Sequence, residues 1–351
     1  MPTFDHQHLL HFAEAVLQAA GVAEDDARLV AGLLHRADLR GYPGHGVGHL
    51  DSYVERIRNG LIRLDGRPEI VREGKSTAVV DGHFYIGQVV AHFAMQLAVS
   101  KAGEHGVGVV SVRHSGHVGR LADFVEMASD QGMIGMAATS LGGGNIAPYG
   151  GMEPIAGTNP IAFGFPGRGG QRITIDLATA SLSMGELQRM VARKEPVPEG
   201  IMLDGSGAPT TDYRAFIGPP RGVMLPFGGH KGSAIHIAVE ILGGLLSGNG
   251  LGRDWLDKGA SAINGAFFQA ISVEEFLPLD EFLDMMDELV EWIRSRRPAP
   301  GFDAVRIPGD GSRERTAQHL RDGVEIDETA WGHLVKTAQD LDVDLPTPIA
   351  G

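Results

Sequence analysis

Three histidines sit beside glycine: His45 in YPGHGVGHL, His117 in RHSGHVGRL and His230 in PFGGHKGSA. Imidazole, with an ordinary pKa of about 6.5, can give or take a proton near neutral pH. Flanking glycines let backbone approach a ligand and leave the ring reachable. Singly, each is an ordinary turn histidine; together they point to a site for acid–base work. The GGHKG segment also opens a stretch of helical periodicity, so its backbone N–H groups and Lys231 suit a phosphate. An ordinary helix start with a surface lysine fits the same residues. A second cluster joins GTNPIAFGFP (157–166) to TIDLATA (174–180). Thr158 and Asn159 precede Pro160 in a rigid turn. Asp176 lies inside an apolar strand pattern, where a carboxylate needs a partner, a hydroxyl to bind, or local backbone N–H groups.

Other patterns lead nowhere or compete. His45 and His49 stand four apart, and His114 and His117 three apart, spacings that suit zinc on a helix. Gly46, Val47 and Gly48 argue against a helix there, no H-E-x-x-H occurs, and fifteen histidines produce such spacings by chance. No metal site is assigned. A metal-dependent hydrolase using His45, His49 and His117 stands as the reading from a different class. Gly142, Gly144 and Ala147 imitate a dinucleotide fingerprint, but Pro148, Tyr149, Gly150 and Gly151 continue a loop. The helix N-terminus that would hold a pyrophosphate is therefore missing. There is no P-loop either.

Composition narrows the field. The 351 residues include 50 glycines, no cysteine, 43% hydrophobic and 21% charged residues, enough apolar material for a packed core. Zero cysteines exclude disulfides, cysteine-ligated zinc or iron–sulfur centres and thiol nucleophiles. The net charge of −14, with no Lys/Arg-rich run, predicts no nucleic-acid partner. The opening residues lack a basic segment followed by an apolar one, and no apolar stretch is long enough to span a bilayer. A cytoplasmic protein without membrane contact is the expectation.

These residues must be positioned by regular elements. Apolar spacing predicts helices from Leu9 to Ala20, from about Glu24 to Asp38, and from Leu50 to Asn59. Beyond residue 75, short apolar runs alternate with helices, which predicts an α/β core. Strands are expected at Thr77–Val80, Val107–Val112, Met133–Thr139, Ile161–Phe165 and Ile173–Leu177. Helices are expected at Val89–Lys101, Leu121–Ser129 and about Lys231–Leu246. The last of these carries Ile235, Ala238, Val239, Leu242 and Leu246 at core spacing. Its Gly232, Gly243 and Gly244 predict close packing against a neighbour.

In combination, LRGYPGHGVGHLDSYVERIRNGLI (39–62), RHSGHVGRLADF (113–124), GTNPIAFGFP, DLATA, DGSGAPTTD (204–212), GGHKGSAIHIAVEILGGLLSG (228–248) and VRIPGDG (305–311) resemble a known family. It is the malate/L-lactate dehydrogenase family of the second, non-Rossmann type, and HVGRL is especially similar to its hydroxycarboxylate dehydrogenase branch. Relatives include ureidoglycolate, sulfolactate and 2,3-diketogulonate oxidoreductases and Δ1-piperideine-2-carboxylate reductases. The resemblance runs in order along nearly the whole chain.

It implies a non-Rossmann α/β fold with a mixed-sheet core. A mostly helical domain would come from residues 1–75 with 300–351, and residues 76–299 would form the core. It implies a homodimer using NAD or NADP to move a hydride to or from C2 of a small 2-oxo or 2-hydroxy acid. A cyclic imino acid reductase is the alternative within the family, and an inactive member retained for binding a third possibility. By resemblance His45 is the proton donor, His117 a second catalytic or cofactor-site histidine, and Glu186 stands at the position of the catalytic acid. His49, Tyr53, Arg120 and Thr158 fall on substrate positions. His117, Val118, Gly119, Arg120, Thr174, Asp176, Leu177, Ala178, His230, Lys231, Pro308, Gly309 and Asp310 fall on cofactor-contacting segments.

Three departures stand out. Gly44 replaces the usual serine and Pro43 a common aspartate, so a serine–histidine–acid relay ending at Glu186 cannot form. His49 replaces an arginine that grips the substrate carboxylate, and imidazole lacks that bidentate fork. Arg120 and Arg40 are the candidates to take over the carboxylate; Arg120 is also one candidate reader of a cofactor 2′-phosphate.

Overall fold

The computed structural model describes residues 1–256 and 263–349. In chain order the helices are α1 (His6–Ala19), α2 (Glu24–Leu39), α3 (Leu50–Arg58), α4 (Gly87–His105), α5 (Ala122–Ser129), α6 (Met184–Ala192), α7 (Tyr213–Ile217), α8 (His230–Val239), α9 (Gly252–Leu256), α10 (Leu279–Arg294), α11 (Asp310–Asp322) and α12 (Glu328–Leu341). The strands are β1 (Thr3–Phe4), β2 (Glu69–Glu73), β3 (Thr77–Asp81), β4 (Val107–Ser115), β5 (Met133–Leu141), β6 (Ile161–Phe165), β7 (Ile173–Leu177), β8 (Met202–Leu203), β9 (Val223–Met224), β10 (Asn264–Ser272) and β11 (Val324–Glu325).

Seven strands form one mixed sheet in the order β2-β3-β4-β10-β5-β6-β7. Only β3 and β4 run parallel, joined by α4; the other neighbours are antiparallel. Helix α4 lies against β4 so closely that a Cβ on Gly108 would fall 1.9 Å from the Ala98 carbonyl oxygen. Among the described residues no strand–helix pair carries the fingerprint of a dinucleotide fold: residues 142–160 leave β5 as a loop. The decoy at Gly142, Gly144 and Ala147 is therefore a turn region.

The N-terminal helices close over one side of the sheet. Leu9, Phe12, Val16 and Leu17 of α1 join Val30 and Leu34 of α2, Val90 and Ala94 of α4 and Leu334 of α12 in one continuous buried cluster. Both ends of the chain meet there, because β1 pairs with β11. No helix among the described residues is long and apolar enough to cross a membrane.

Most expected elements form where the periodicity placed them, with informative exceptions. Helix α4 starts two residues earlier than predicted and runs past Gly103 to a stop at Gly106, whose φ of 79° ends the helix. Strand β10 escaped the sequence reading, although it is the strand that joins β4 to β5. Helix α10 and edge strand β2 were also missed. Behind α8 the chain continues as a π-helical turn, Glu240–Leu245. Its glycines do pack tightly: a Cβ on Gly243 would meet the Ser140 amide nitrogen at 2.6 Å. Three residues expected to face the core do not, since Ile235, Ala238 and Leu246 are exposed. The reason is amphipathicity on two sides: Val239 and the glycines face the sheet, while a second apolar stripe faces outward.

Candidate active site

The loop between α2 and α3 makes two tight turns, 43–45 and 47–49, which bring His45 and His49 to the same side. Asp38 at the end of α2 fixes them. Its carboxylate, 3% exposed, accepts the Val47 N–H at 2.8 Å. Burial raises the Asp38 pKa to about 7, and the Val47 hydrogen bond only partly opposes this. Gly46 lies flat against that carboxyl, where a Cβ would come within 1.7 Å of Oδ1. His49 donates its Nε2 proton to the Gly44 carbonyl oxygen, which can only accept. Its Nδ1 therefore presents a lone pair.

His117 leaves the end of β4 and meets these two. The His45 and His117 rings stack with centroids 5.6 Å apart and planes 2° from parallel, and His49 lies 5.1 Å from His117. One nitrogen from each ring falls within 4.8 Å of the others. His117 Nδ1 is 2.8 Å from the Tyr53 hydroxyl of α3, which accepts from Gln88 Nε2 of α4 at 2.7 Å. With the amide so oriented, Tyr53 donates to Nδ1, and the His117 ring proton sits on Nε2. His45 Nδ1 has no hydrogen-bond partner among the described residues.

Burial dominates the titration of all three rings. It lowers His45 to about 4, with the His49 and Arg120 charges acting in the same direction. His117 is held well below the usual range, and His49 is lowered too. The cluster is neutral at pH 7. A narrow cleft, too tight in this structure to admit a water molecule, lies beside it, lined by His45, Gln88, Val118, Gly119, Arg120 and Asp123.

Around the cleft lies a web of buried charge. Arg120 donates to Asp123 through Nε at 3.2 Å and Nη2 at 2.8 Å, and its guanidinium lies 5.3 Å from the Tyr42 ring centroid. Arg40 grips Glu126 with two bonds of 2.7 Å. Asp176 of β7 accepts the Ala122 N–H at 2.8 Å, so the buried carboxylate has backbone for a partner. Burial pushes it up to about 6, helped by Asp123 and Glu126. Thr174 donates to Glu126 at 3.2 Å. Thus Val118, Gly119, Arg120, Thr174 and Asp176 gather at one place. Leu177, which ends β7, is exposed, and Ala178 follows the strand.

The RIPGDG loop adjoins the same region. Ser312 donates to the Tyr42 hydroxyl at 3.4 Å, and Arg315 donates to the Arg40 carbonyl at 2.9 Å. Pro308 and Gly309 precede α11, while Asp310 accepts the Ile307 N–H and pairs with Arg294 and Arg313. Thr158 is held through its backbone. Its carbonyl accepts from the Thr179 amide and hydroxyl, and Asn159 is tied to the buried Glu240 at 2.8 Å. His230 and Lys231 stand exposed at the start of α8, after Gly228 and Gly229 with φ of 56° and 63°. A Cβ on Gly228 would meet nothing within 4 Å, which leaves an open cradle at a helix N-terminus.

Two pairs expected from spacing or resemblance, His114 with His117 and His45 with Glu186, do not form. His114 turns away from His117, with its Nδ1 3.1 Å from the Asp81 carboxylate. Glu186 lies on the helix that touches the donor loop, since a Cβ on Gly185 would be 3.6 Å from the Gly44 Cα. Its carboxylate nevertheless pairs with Arg189, and no hydrogen bond among the described residues joins it to His45. The sequence reading missed Asp38, Gln88, Asp123, Glu126 and Glu240. The signal available for Asp123 and Glu126 was two acids on the apolar face of a short helix.

The chain matches the family model for malate/L-lactate dehydrogenase over residues 4–335. It is 37% identical over 333 residues to L-sulfolactate dehydrogenase of Methanocaldococcus jannaschii, covering 94% of each chain. Malate dehydrogenase from Entamoeba histolytica superimposes with a TM-score of 0.93 at 29% identity, covering 98% of this chain and 99% of that one. Δ1-Piperideine-2-carboxylate reductase from Pseudomonas syringae does so with a TM-score of 0.83 at 26% identity, over 96% and 100%.

Proposed function

Because the chain belongs to the malate/L-lactate dehydrogenase family and is therefore an oxidoreductase of hydroxy acids, we propose that it interconverts a small 2-hydroxy acid and its 2-oxo acid with His45 as proton donor and acceptor. The observation that carries this is the stacked His45–His117 pair beside the Arg120 cleft. A bound nicotinamide dinucleotide, NAD or NADP, would take up or supply the hydride at C2. The open cradle at Gly228 with Lys231 suits its phosphates, and Arg120, Thr174, Asp176 and the 308–310 loop form a second contact region.

His45, neutral before substrate arrives, is ready to accept the hydroxyl proton during oxidation. For reduction it must first carry a proton, and an anionic substrate in the cleft favours the imidazolium by Coulomb attraction. His117 offers its Nε2 proton to the same oxygen. Arg120 attracts the substrate carboxylate, while its bond to Asp123 fixes the direction of the guanidinium. The neutral His49 contributes no fork, so the carboxylate is bound from one side only. Glu186 has no part in this scheme, since Gly44 and Arg189 leave it outside any relay. Oxidoreductase relatives displace the metal-dependent hydrolase reading.

A homodimer fits the exposed stripe of Ile237, Ile241 and Leu245, which recurs every four residues along α8 and the π turn. The expected division, residues 1–75 with 300–351 against 76–299, puts Leu33 and His45 on one side of the cleft and Gln88, Val118, Gly119, Arg120 and Asp123 on the other, with β2 excepted because it joins the core sheet, in a cytoplasmic enzyme. Cyclic imine reduction is the second reading, favoured by the likeness to the piperideine-carboxylate reductase. Separate titrations with NADH and NADPH, followed by cofactor oxidation on pyruvate, phenylpyruvate and a cyclic imino acid, test the proposal. Binding of one cofactor with turnover of a 2-oxo acid supports it. Turnover of the imine alone would replace it with the second reading, and binding of neither cofactor would overturn it.

A further inference from the structure

We propose that His45, His49 and His117 form a site for a divalent transition metal, Zn²⁺ above all, with three imidazole ligands and an open fourth position. Three side chains from two separate segments bring one nitrogen each to within 4.8 Å of the others. Zinc takes imidazole nitrogen at about 2.0–2.1 Å and is satisfied by three protein ligands plus water. Tetrahedral geometry then asks for nitrogens about 3.3 Å apart, so the rings must close by roughly 1.5 Å. The ring best placed to move is His45, whose Nδ1 has no partner to give up.

The tautomers permit it. His49 Nε2 donates to the Gly44 carbonyl, which leaves Nδ1 as a ligand lone pair and supplies the outer hydrogen bond that metal-bound imidazoles favour. His117 needs its proton on Nδ1. A half-turn of the Gln88 amide provides this: Tyr53 then donates to Gln88 Oε1 and accepts the Nδ1 proton of His117, freeing Nε2. Gln88 Oε1 is buried and has no partner among the described residues in the present orientation. The Gln88–Tyr53–His117 chain thus has a proton-donor state and a metal-ligand state, separated by one amide rotation.

The site depends on this chain's own sequence. Position 49 carries an imidazole where the resemblance leads one to expect arginine, and a guanidinium there would supply a positive charge instead of a lone pair. Binding itself does not rest on the hydride-transfer reading. Its consequence does: a metal on His45 occupies the lone pair that accepts the substrate proton, so loading inhibits the dehydrogenase reversibly.

The test is equilibrium dialysis of the chelator-treated full chain against Zn²⁺, with Co²⁺ as a spectroscopic probe. The expected result is one ion per chain, intense visible bands of four-coordinate cobalt, and affinity at least tenfold weaker in His49→Gln and His49→Arg. Circular dichroism and thermal melting establish that the variants fold. If neither variant folds, the cobalt spectrum of the wild type decides alone: six-coordinate, weakly coloured cobalt overturns the site. So does the absence of stoichiometric zinc, or uptake that survives both substitutions. Dehydrogenase turnover in chelator is measured in parallel. A protein that turns over and binds no metal refutes this site and leaves the proposed reaction standing.

Discussion

Gly46→Ala should be far more damaging than its neighbour Gly44→Ala, for a reason that is purely steric. Gly46 has φ −91° and ψ −162°, which alanine adopts freely, so backbone strain plays no part. A Cβ there would lie 1.7 Å from Asp38 Oδ1, 2.3 Å from Cγ and 2.6 Å from Oδ2. Asp38 is short, buried and anchored to the Val47 N–H at 2.8 Å, so it cannot swing away at little cost. Losing a hydrogen bond to a charged acceptor costs about 1.5–3 kcal/mol. Overpacking adds about 1–3 kcal/mol, so a loss of roughly 2.5–6 kcal/mol is expected. At roughly 2 °C per kcal/mol for a long chain, Tm should fall by roughly 5–12 °C. Gly44, two residues away, has nothing within 4 Å of its built Cβ, and its alanine variant should stay within about 0.5 kcal/mol of wild type. The same displacement moves His45 and His49, and a misplacement near 1 Å can cost about 100-fold in rate. Urea and thermal melts with kcat/KM for both variants measure this. Equal stability of Gly46→Ala and wild type would refute the assignment of Asp38 as the anchor of the histidine loop.

Other expectations concern charge and hydrogen bonding. His45 is held at about 4 in the fold against about 6.5 unfolded, so its contribution to stability is full above pH 6.5 and is lost as pH falls toward 4. Urea unfolding from pH 7 to 4 should therefore fall less steeply in His45→Asn than in wild type. Asp38 behaves oppositely: a folded pKa of about 7 means that it disfavours the fold increasingly as pH rises from about 4 to 7. Asp38→Asn should accordingly compare better with wild type at pH 7 than at pH 4, and an unchanged difference would remove the buried-carboxyl argument. Arg120→Lys keeps the charge and loses the two-bond fork to Asp123; KM for the acid should rise about tenfold or more, measured by steady-state kinetics.

The amphipathic helices α1 to α3 and the apolar strands were legible because local periodicity decides them. Strand β10 was not: INGAFFQAIS has no alternation, since consecutive residues, pointing to opposite faces, are both buried in the middle of the sheet. Helix α8 misled the reading because it is apolar on opposite sides, and a periodic count assigns both stripes to the core. At the site, glycine beside histidine singled out His45, His117 and His230; the fold stacks the first two rings, while His230 stands exposed at the start of α8. Asp38, Gln88 and Glu240 carry no local signature. Each acts on a segment distant in sequence or around a tight turn, so spacing along the chain holds no trace of the partner.

The most direct test of the central claim is His45→Ala assayed for cofactor binding and turnover on the same preparation. The variant should bind NADH or NADPH like wild type and lose about 100-fold or more in kcat, the usual worth of a general acid–base group. Near-normal turnover with intact binding would contradict the role of His45 and transfer the proton chemistry to another group.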